Sequence, residues 1–157
     1  MSNNSNEIAT NRKAPRDFHI LDRFEAGIEL KGTEVKSIRQ GKINLSDAFA
    51  RIDRGQCFLY NCDIQPYEKA SHTQHEVRAI RRLLLHKREI MKLWAATQQK
   101  GLSLPALRAY WKGQRVKLEI AIGEGKTKGD QRQDIKKKVE NREAQREVAR
   151  FHERGKV

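Results

Sequence analysis

Apolar and polar positions alternate along this chain in short bursts, and those bursts predict strands. From Phe24 to Leu30, Phe24, Ala26, Ile28 and Leu30 share one face while Glu25, Gly27 and Glu29 take the other, the pattern of a half-buried strand. The strand reading extends back to Asp17, with Asp22-Arg23 a point of irregularity. The period then changes. Gly32 stops the strand, Thr33 is placed to cap a helix, Val35 and Ile38 share a helical face, and Gly41 suits the position just past its C-terminus. Residues 47–64 read as a hairpin: Ala48, Ala50 and Ile52 alternate, Asp53-Arg54-Gly55 supplies the turn, and Phe58, Tyr60, Cys62 and Ile64 alternate toward the core on the return to Pro66.

Residues 67–80 hold no sustained period and read as an exposed connection running into Arg78, Arg81 and Arg82. A helix follows, with Leu83, Ile90 and Trp94 near one stripe, Leu84 and Leu93 broadening it, and Gly101 as its stop; His86, Lys87, Arg88, Glu89 and Lys92 form the polar side. Residues 104–122 give a second hairpin around Lys112-Gly113-Gln114, where Val116, Leu118, Ile120 and Ile122 alternate strictly with polar neighbours, and Tyr110 follows the core-facing phase. Short antiparallel strands with few helices predict a mainly β fold closed into a small barrel, because closure removes exposed edges. An oligonucleotide-binding barrel is one of several such architectures.

Composition adds a partner to this picture. The 157 residues suffice for one domain plus tails. Only 37% are hydrophobic and 34% are charged, so part of the chain cannot bury its share of a core. The net charge of +13 and isoelectric point near 10.0 call for a polyanion, with nucleic acid ahead of a membrane surface. No apolar run approaches about 18 residues and no N-terminal signal pattern is present, so a cytoplasmic protein that does not engage membranes is expected. Cys57 and Cys62 then read as reduced thiols. His72 and His75 lack partners at metal-site spacing and read as loop histidines, so no metal is expected.

The charge is unevenly spread. Residues 1–16 are polar and read as a flexible arm, 17–125 as the folded domain, and 126–157 as a basic tail with 11 Lys and Arg against 6 Asp and Glu. In the tail Ile135, Val139, Val148 and Phe151 form no continuous stripe, whereas Lys138, Arg142, Arg146, Arg150 and Arg154 recur every four positions. In isolation each such like-charged pair opposes a helix by roughly 0.2 to 0.5 kcal/mol. Against phosphates the sign reverses. The tail is then either permanently solvated, or disordered when free and helical when bound.

Catalytic chemistry is hard to find. There is no Ser/His/Asp set, no HExxH motif and no phosphate-binding glycine loop; Gly123, Gly125 and Lys126 spell GEGK, but the spacing of a P-loop is missing. An enzyme without visible acid–base pairs is disfavoured, and no cofactor is expected. The region from Glu25 to Asn44 instead gathers a carboxylate, cations and an Asn near one strand-to-helix corner. Such groups can meet phosphates, base edges and 2′-hydroxyls, although Glu25 can equally pair with a cation across the sheet.

Five segments together are specific: NRKA at 11–14, FEAGI at 24–28, GTEVKSIRQGKINLSDAFARI at 32–52, LLLHKREI at 83–90 and GKTKGDQRQDIKKK at 125–138. In this order they resemble the small protein B family, which binds transfer-messenger RNA in bacterial trans-translation. The resemblance spans nearly the whole chain. It implies a closed antiparallel Greek-key barrel related to the oligonucleotide-binding fold, about three flanking helices, and a basic tail unstructured until it enters the ribosome.

It also implies that the barrel grips the tRNA-like domain of transfer-messenger RNA while the tail occupies the vacant mRNA path of a stalled ribosome. The partners implied are that RNA, small-subunit ribosomal RNA, and elongation factor Tu through the aminoacylated RNA. Carried over by position, the RNA-gripping residues are Asn11, Arg12, Lys13, Glu25, Arg82 and Leu84 at the entry to the long helix, with Lys36, Arg39, Lys42 and Asn44 contributing. Lys126, Lys128, Asp130, Arg132, Lys136, Lys137 and Lys138 of the tail would meet ribosomal RNA. Two departures stand out. The family's Asp-Pro before the long helix is replaced by Glu76 to Arg82, and Gly129 stands where a stacking His or Tyr is usual. The alternative is a general single-strand-binding barrel, which would need exposed aromatics on a strand face.

Overall fold

The computed structural model describes residues 6–70 and 74–154, with the side chains of the last four left aside. The chain forms two compact units, Met1–Gly125 and Lys126–Val157. In the first, ten strands and three helices run β1 (Glu7–Thr10), α1 (Ala14–Asp17), β2 (Phe18–Ile28), α2 (Gly32–Arg39), β3 (Ile43–Asn44), β4 (Phe49–Asp53), β5 (Gln56–Tyr60), β6 (Asp63–Ile64), β7 (Arg81–Leu84), α3 (Lys87–Thr97), β8 (Leu102–Ser103), β9 (Ala106–Lys112) and β10 (Arg115–Gly125). The second unit carries α4 (Lys128–Arg154).

The fold is mainly antiparallel β. The main sheet runs β1-β9-β10-β2-β7-β5-β4, with β8 beside β10, while β3 and β6 pair separately. This ladder does not close: β1 and β4 are its ends, and a single bridge between Phe49 and Pro105 joins β4 to the chain entering β9. Two backbone hydrogen bonds reinforce that bridge, from Ala50 N–H to Leu104 O at 2.7 Å and from Ala106 N–H to Ala48 O at 3.0 Å.

Strict alternation in β10 buries Val116, Leu118, Ile120 and Ile122 against Phe24 and Ala26 of β2, with Leu59, Leu83 and Leu93 completing the core. Opposite Asp22 the register slips by one residue, which leaves Leu21 bulged outward and 56% exposed. The irregularity lies one residue before the Asp22-Arg23 of the sequence reading.

The second strand of the first hairpin runs in the opposite phase to the reading. Cys57 and Leu59 are the buried residues of β5, whereas Phe58 and Tyr60 lie on its outer side. Asn61, in the left-handed region at φ 58°, then steps the chain so that Cys62 and Ile64 also bury. One residue of altered twist lets both cysteines reach the core. Tyr110, also expected inward, is likewise on the outer side of its strand.

Several other expectations change for comparable reasons. The cap of α2 is Lys31, whose N–H donates to Glu34 Oε1 at 2.8 Å, because the carboxylate reaches back one turn. Gly41 follows that helix at φ 73°, the left-handed conformation that a helix C-terminus favours. Arg81 to Leu84 is strand, so Arg82 and Leu84 precede α3 rather than open it; pairing with β2 and β5 outweighs the helical spacing. In α3 the buried residues are Leu93 and Ala96, leaving Trp94 53% exposed.

Residues 7–16, expected within a loose arm, instead contribute β1 on β9 and most of the short α1, with Ile8 and Ala9 packed on the core. His72 lies outside the described residues. His75 is buried rather than a surface loop residue, with Nδ1 2.9 Å from Thr33 Oγ1 and Nε2 3.0 Å from Ile64 O. It staples the segment after β6 to α2.

In the second unit, Thr127 and Asp130 cap α4 reciprocally: Asp130 N–H donates to Thr127 Oγ1 and Thr127 N–H to Asp130 Oδ2, both at 3.2 Å. Lys126 pairs with Asp134. Ile135, Val139 and Val148 are exposed, so the helix presents no buried stripe.

Candidate nucleic-acid interface

The outer face of the sheet is assembled by cross-strand register. Lys117 on β10 lies opposite Gly27 on β2, which in turn lies opposite Leu84 on β7; one step along, Glu119 lies opposite Glu25. On β9, Arg108, Tyr110 and Lys112 occupy alternate positions beside them. Glu25 and Leu84, nearly sixty residues apart in sequence, thus share one surface. Gly27 makes that approach possible, since a Cβ there would lie 3.3 Å from Leu84 Cβ, tighter than ordinary van der Waals contact.

Glu25 is held as an anion. The Tyr110 hydroxyl donates to Oε2, and Lys112 Nζ stands 2.9 Å from Oε1. Foremost through the Tyr110 hydrogen bond, then that of Lys112, its carboxyl sits below the ordinary carboxylate range. Burial, then the bond to Glu25, pushes the Tyr110 phenol above its usual range, so it remains a donor. Arg108 stacks over the Tyr110 ring at 4.6 Å and pairs with Glu119 at 3.0 Å. Glu119 also takes Arg23 at 3.2 Å.

The result is a rigid plate of fixed charges around an aromatic ring, with Leu84, 47% exposed, as an apolar ridge beside it. Arg82 is on the same side of β7, opposite Phe58, with its guanidinium 3.7 Å from Glu29. A fixed carboxylate among cations can accept from a 2′-hydroxyl or a base amino group while the cations meet phosphates, which suits a shaped RNA.

A second group lies at the α2 corner. Lys36 sits 5.4 Å over the Tyr67 ring, Arg39 is exposed, Lys42 pairs with Glu68 at 3.1 Å, and Asn44 Oδ1 accepts from Ser46 N–H at 2.8 Å. Beneath them is a buried ion pair that the sequence reading passed over. Arg81 Nε donates to Glu34 Oε2, and its other nitrogens donate to the carbonyls of Cys62 at 2.8 Å, Ala79 at 3.1 Å, and Glu76 and Val77 at 3.2 Å. Arg81 therefore anchors the corner internally rather than adding to the surface charge.

The third group follows β1. Asn11 is buried, donating from Nδ2 to Ala106 O at 2.8 Å and accepting from Lys13 N–H at 3.1 Å and Ala14 N–H at 3.2 Å. It is not an exposed RNA ligand; its hydrogen bonds fix Arg12 and Lys13, which are exposed. Lys13 reaches Asp47 at 3.4 Å, across a cleft of 560 Å³ also lined by Phe49, Asn61 and Arg78. The expected binding residues thus fall into three groups, of which only Glu25, Arg82 and Leu84 share one strand-built face. Lys128, Arg132, Lys136, Lys137 and Lys138 are exposed on α4, Lys126 is paired, and Asp130 serves the cap.

Sequence reading missed Tyr110, Arg108, Lys112 and Lys117. Their signal was present as polar alternation on β9 and β10, facing away from the apolar set. Among the described residues, no group of three His, Cys, Asp or Glu could hold a metal, and no helix is long and apolar enough to cross a membrane.

A basic, antiparallel-β scaffold with a cationic outer plate and an appended charged helix defines a polyanion-binding protein. The family model described as "SmpB protein" matches residues 8–150, and the chain belongs to this family. It is 51% identical to an SsrA-binding protein of Carboxydothermus hydrogenoformans, over 90% of this chain and 92% of that one. It is also 49% identical to an SsrA-binding protein of Anoxybacillus flavithermus, over 95% of each. A solved structure described as "tmRNA-SmpB: a journey to the center of the bacterial ribosome" superposes with a TM-score of 0.65 at 40% identity, covering 81% of this chain and 93% of that one.

Proposed function

We propose that the folded unit binds the tRNA-like domain of transfer-messenger RNA and brings it to stalled ribosomes in trans-translation, acting by binding and not as an enzyme. The observation that carries this reading is the Glu25 plate, ionised between Tyr110 and Lys112 beside Leu84, in a chain about half identical to SsrA-binding proteins over nine-tenths of its length. Glu25, Lys112, Lys117, Arg82 and Leu84 make the principal RNA face. Arg12 and Lys13, held by Asn11, and Lys36, Arg39, Lys42 and Asn44 extend it along the RNA.

The second unit occupies the empty mRNA path, with Lys128, Arg132, Lys136, Lys137 and Lys138 against small-subunit ribosomal RNA. The tail is helical over Lys128–Arg154 in the isolated chain with its apolar residues exposed, so phosphate contacts that offset its like charges are what favour its order on the ribosome. Gly129 leaves this tail without an aromatic contact and increases its dependence on charge. The sheet curls into a Greek-key barrel related to the oligonucleotide-binding fold, a reading supported by the hydrogen bonds that tie β4 to the chain entering β9. The site of action is the cytoplasm, where elongation factor Tu engages the aminoacylated RNA.

Competition binding tests the reading. The tRNA-like RNA should bind far more tightly than an unstructured oligonucleotide of equal charge, with a log–log salt slope of roughly 0.7 to 0.9 per neutralised phosphate. Deleting residues 126–157 should spare that binding and abolish tagging on stalled ribosomes. Equal affinity for the two RNAs would overturn the first claim; loss of RNA binding on truncation would overturn the division of labour. One observation favours a single-strand-binding activity as well: the outward stack of Phe49 on Tyr60, ring centres 5.5 Å apart.

A further inference from the structure

The free end of the sheet carries a second cleft, remote in strand order from the Glu25 plate. β4 is the terminal strand, and α3 and the chain around β8 lie along it. Between them is a slot of 360 Å³, walled by Phe49, Arg51 and Ile52 from β4, by Trp94 from α3 and by Gln98 just past its end, with Ser103 also in the lining. An apolar depression of 380 Å³ adjoins it across Trp94 and Ile52, extended by Met91 and Ile90.

Three features of the slot point to one ligand. Trp94 is 53% exposed and Phe49 37%, so two aromatic rings border the slot without being used up in the core. Ser103 Oγ is buried and finds no hydrogen-bond partner among the described residues, although a buried hydroxyl left unmade costs free energy. With the Gln98 amide it supplies both donors and acceptors. Among the described residues, Arg51 is the charge at the slot and no carboxylate lines it or the adjoining depression. Helical spacing carries the cationic border further: Lys87 is four residues before Met91 and seven before Trp94, on the same side of α3. Aromatic walls, polar lining residues and a cationic border match a planar heterocycle with a polar edge and an attached anion.

We infer that this slot binds an unpaired RNA base, stacked on Trp94 with its edge toward Ser103 and Gln98 and its phosphate toward Arg51. Base–aromatic stacking tolerates any sequence, because every base has a π-face. The slot therefore complements the shape-reading plate on β2, β9 and β10: one surface takes a folded RNA, the other a splayed nucleotide. The inference needs RNA as partner, and does not depend on which structured RNA the plate holds.

The test uses the full chain and two probes in parallel, fluorescein-labelled ten-nucleotide oligoadenylate and the tRNA-like RNA, by anisotropy at fixed salt. Trp94→Ala should weaken oligoadenylate binding roughly 5- to 100-fold, as loss of one stacked base does. Trp94→Phe should recover most of it, and Arg51→Gln should lower the salt dependence. Affinity for the tRNA-like RNA should stay within twofold for all three variants. Because Trp94 is exposed, an unchanged unfolding midpoint should accompany each. Oligoadenylate affinity unmoved by Trp94→Ala overturns the inference, as does Trp94→Phe being as weak as alanine. If instead the tRNA-like RNA fails to bind while oligoadenylate still depends on Trp94, the slot stands and the reading of the plate falls.

Discussion

Replacing Glu34 with leucine strands the Arg81 guanidinium in the protein interior. The two side chains are 4% and 2% exposed, so solvent cannot take over the lost interaction. Removing one member of such a pair costs about 3–5 kcal/mol, chiefly because the remaining charge is left uncompensated. Glu34 has a second task as well. Its Oε1 accepts from Lys31 N–H at 2.8 Å, and losing this cap of α2 adds about 1 kcal/mol. Arg81→Met is expected to cost at least as much, since it isolates the Glu34 carboxylate and also removes the donors to the carbonyls of Cys62, Glu76, Val77 and Ala79. Against a domain stability of about 5–15 kcal/mol, either change consumes a large share.

The double variant separates charge from shape. With both charges gone, the desolvation penalty disappears, so Glu34→Leu with Arg81→Met should be less destabilised than the sum of the singles by about 2 kcal/mol or more. Urea unfolding followed by tryptophan fluorescence measures this. At a slope of about 2 kcal/mol per molar, the combined cost of about 4–6 kcal/mol for Glu34→Leu should lower the midpoint by roughly 2–3 M. A shift below about 0.3 M, or strictly additive singles, would refute the reasoning.

Glu25 has its folded pKa below the ordinary 4.5, so the stability it contributes is fully present above pH 4.5 and is lost as pH falls through the lower, folded value. Carboxyl NMR titration should place its midpoint under 4.5 and move it upward in Tyr110→Phe; an unmoved midpoint would discard the Tyr110 hydrogen bond as the main cause. Burial pushes the thiols of Cys57 and Cys62 up to about 12, so at pH 8 only about 10⁻⁴ of either is thiolate. Ellman's reagent should therefore leave the native protein untouched and titrate two thiols after denaturation; rapid native labelling would contradict the packing of β5. Asn61 at φ 58° should accept glycine at a cost of a few tenths of a kcal/mol, whereas Asn61→Val should lose about 1–2 kcal/mol by thermal unfolding. Equal midpoints for the two variants would mean that the step after β5 does not need the left-handed residue.

What could be read from the sequence follows the range of the interactions that decide each element. β10 was legible because four aliphatic residues at alternate positions have one arrangement that buries them all, and no distant partner alters it. The turns at Gly41 and Gly55 were legible because left-handed backbone is a local demand. Arg81 was not, since its partner Glu34 lies 47 residues away and nothing nearby distinguishes a buried guanidinium from an exposed one. Asn11 failed likewise: its acceptor at Ala106 is 95 residues distant. The face of β5 failed for a subtler reason. Read as unbroken alternation, Phe58 and Tyr60 claim the core in phase with Cys62 and Ile64; the step at Asn61 reverses that phase and sends Cys57 and Leu59 inward instead. The consequence bears on the binding surface. Phe58, Tyr60 and Tyr110, read as core residues, lie on the outer side, where Tyr60 stacks with Phe49 and Tyr110 with Arg108, so the sheet carries outward π-faces that the sequence reading had placed inside. A phase shift of one residue in one strand is enough to exchange its inner and outer faces, so which aromatics this sheet presents outward is decided by strand register.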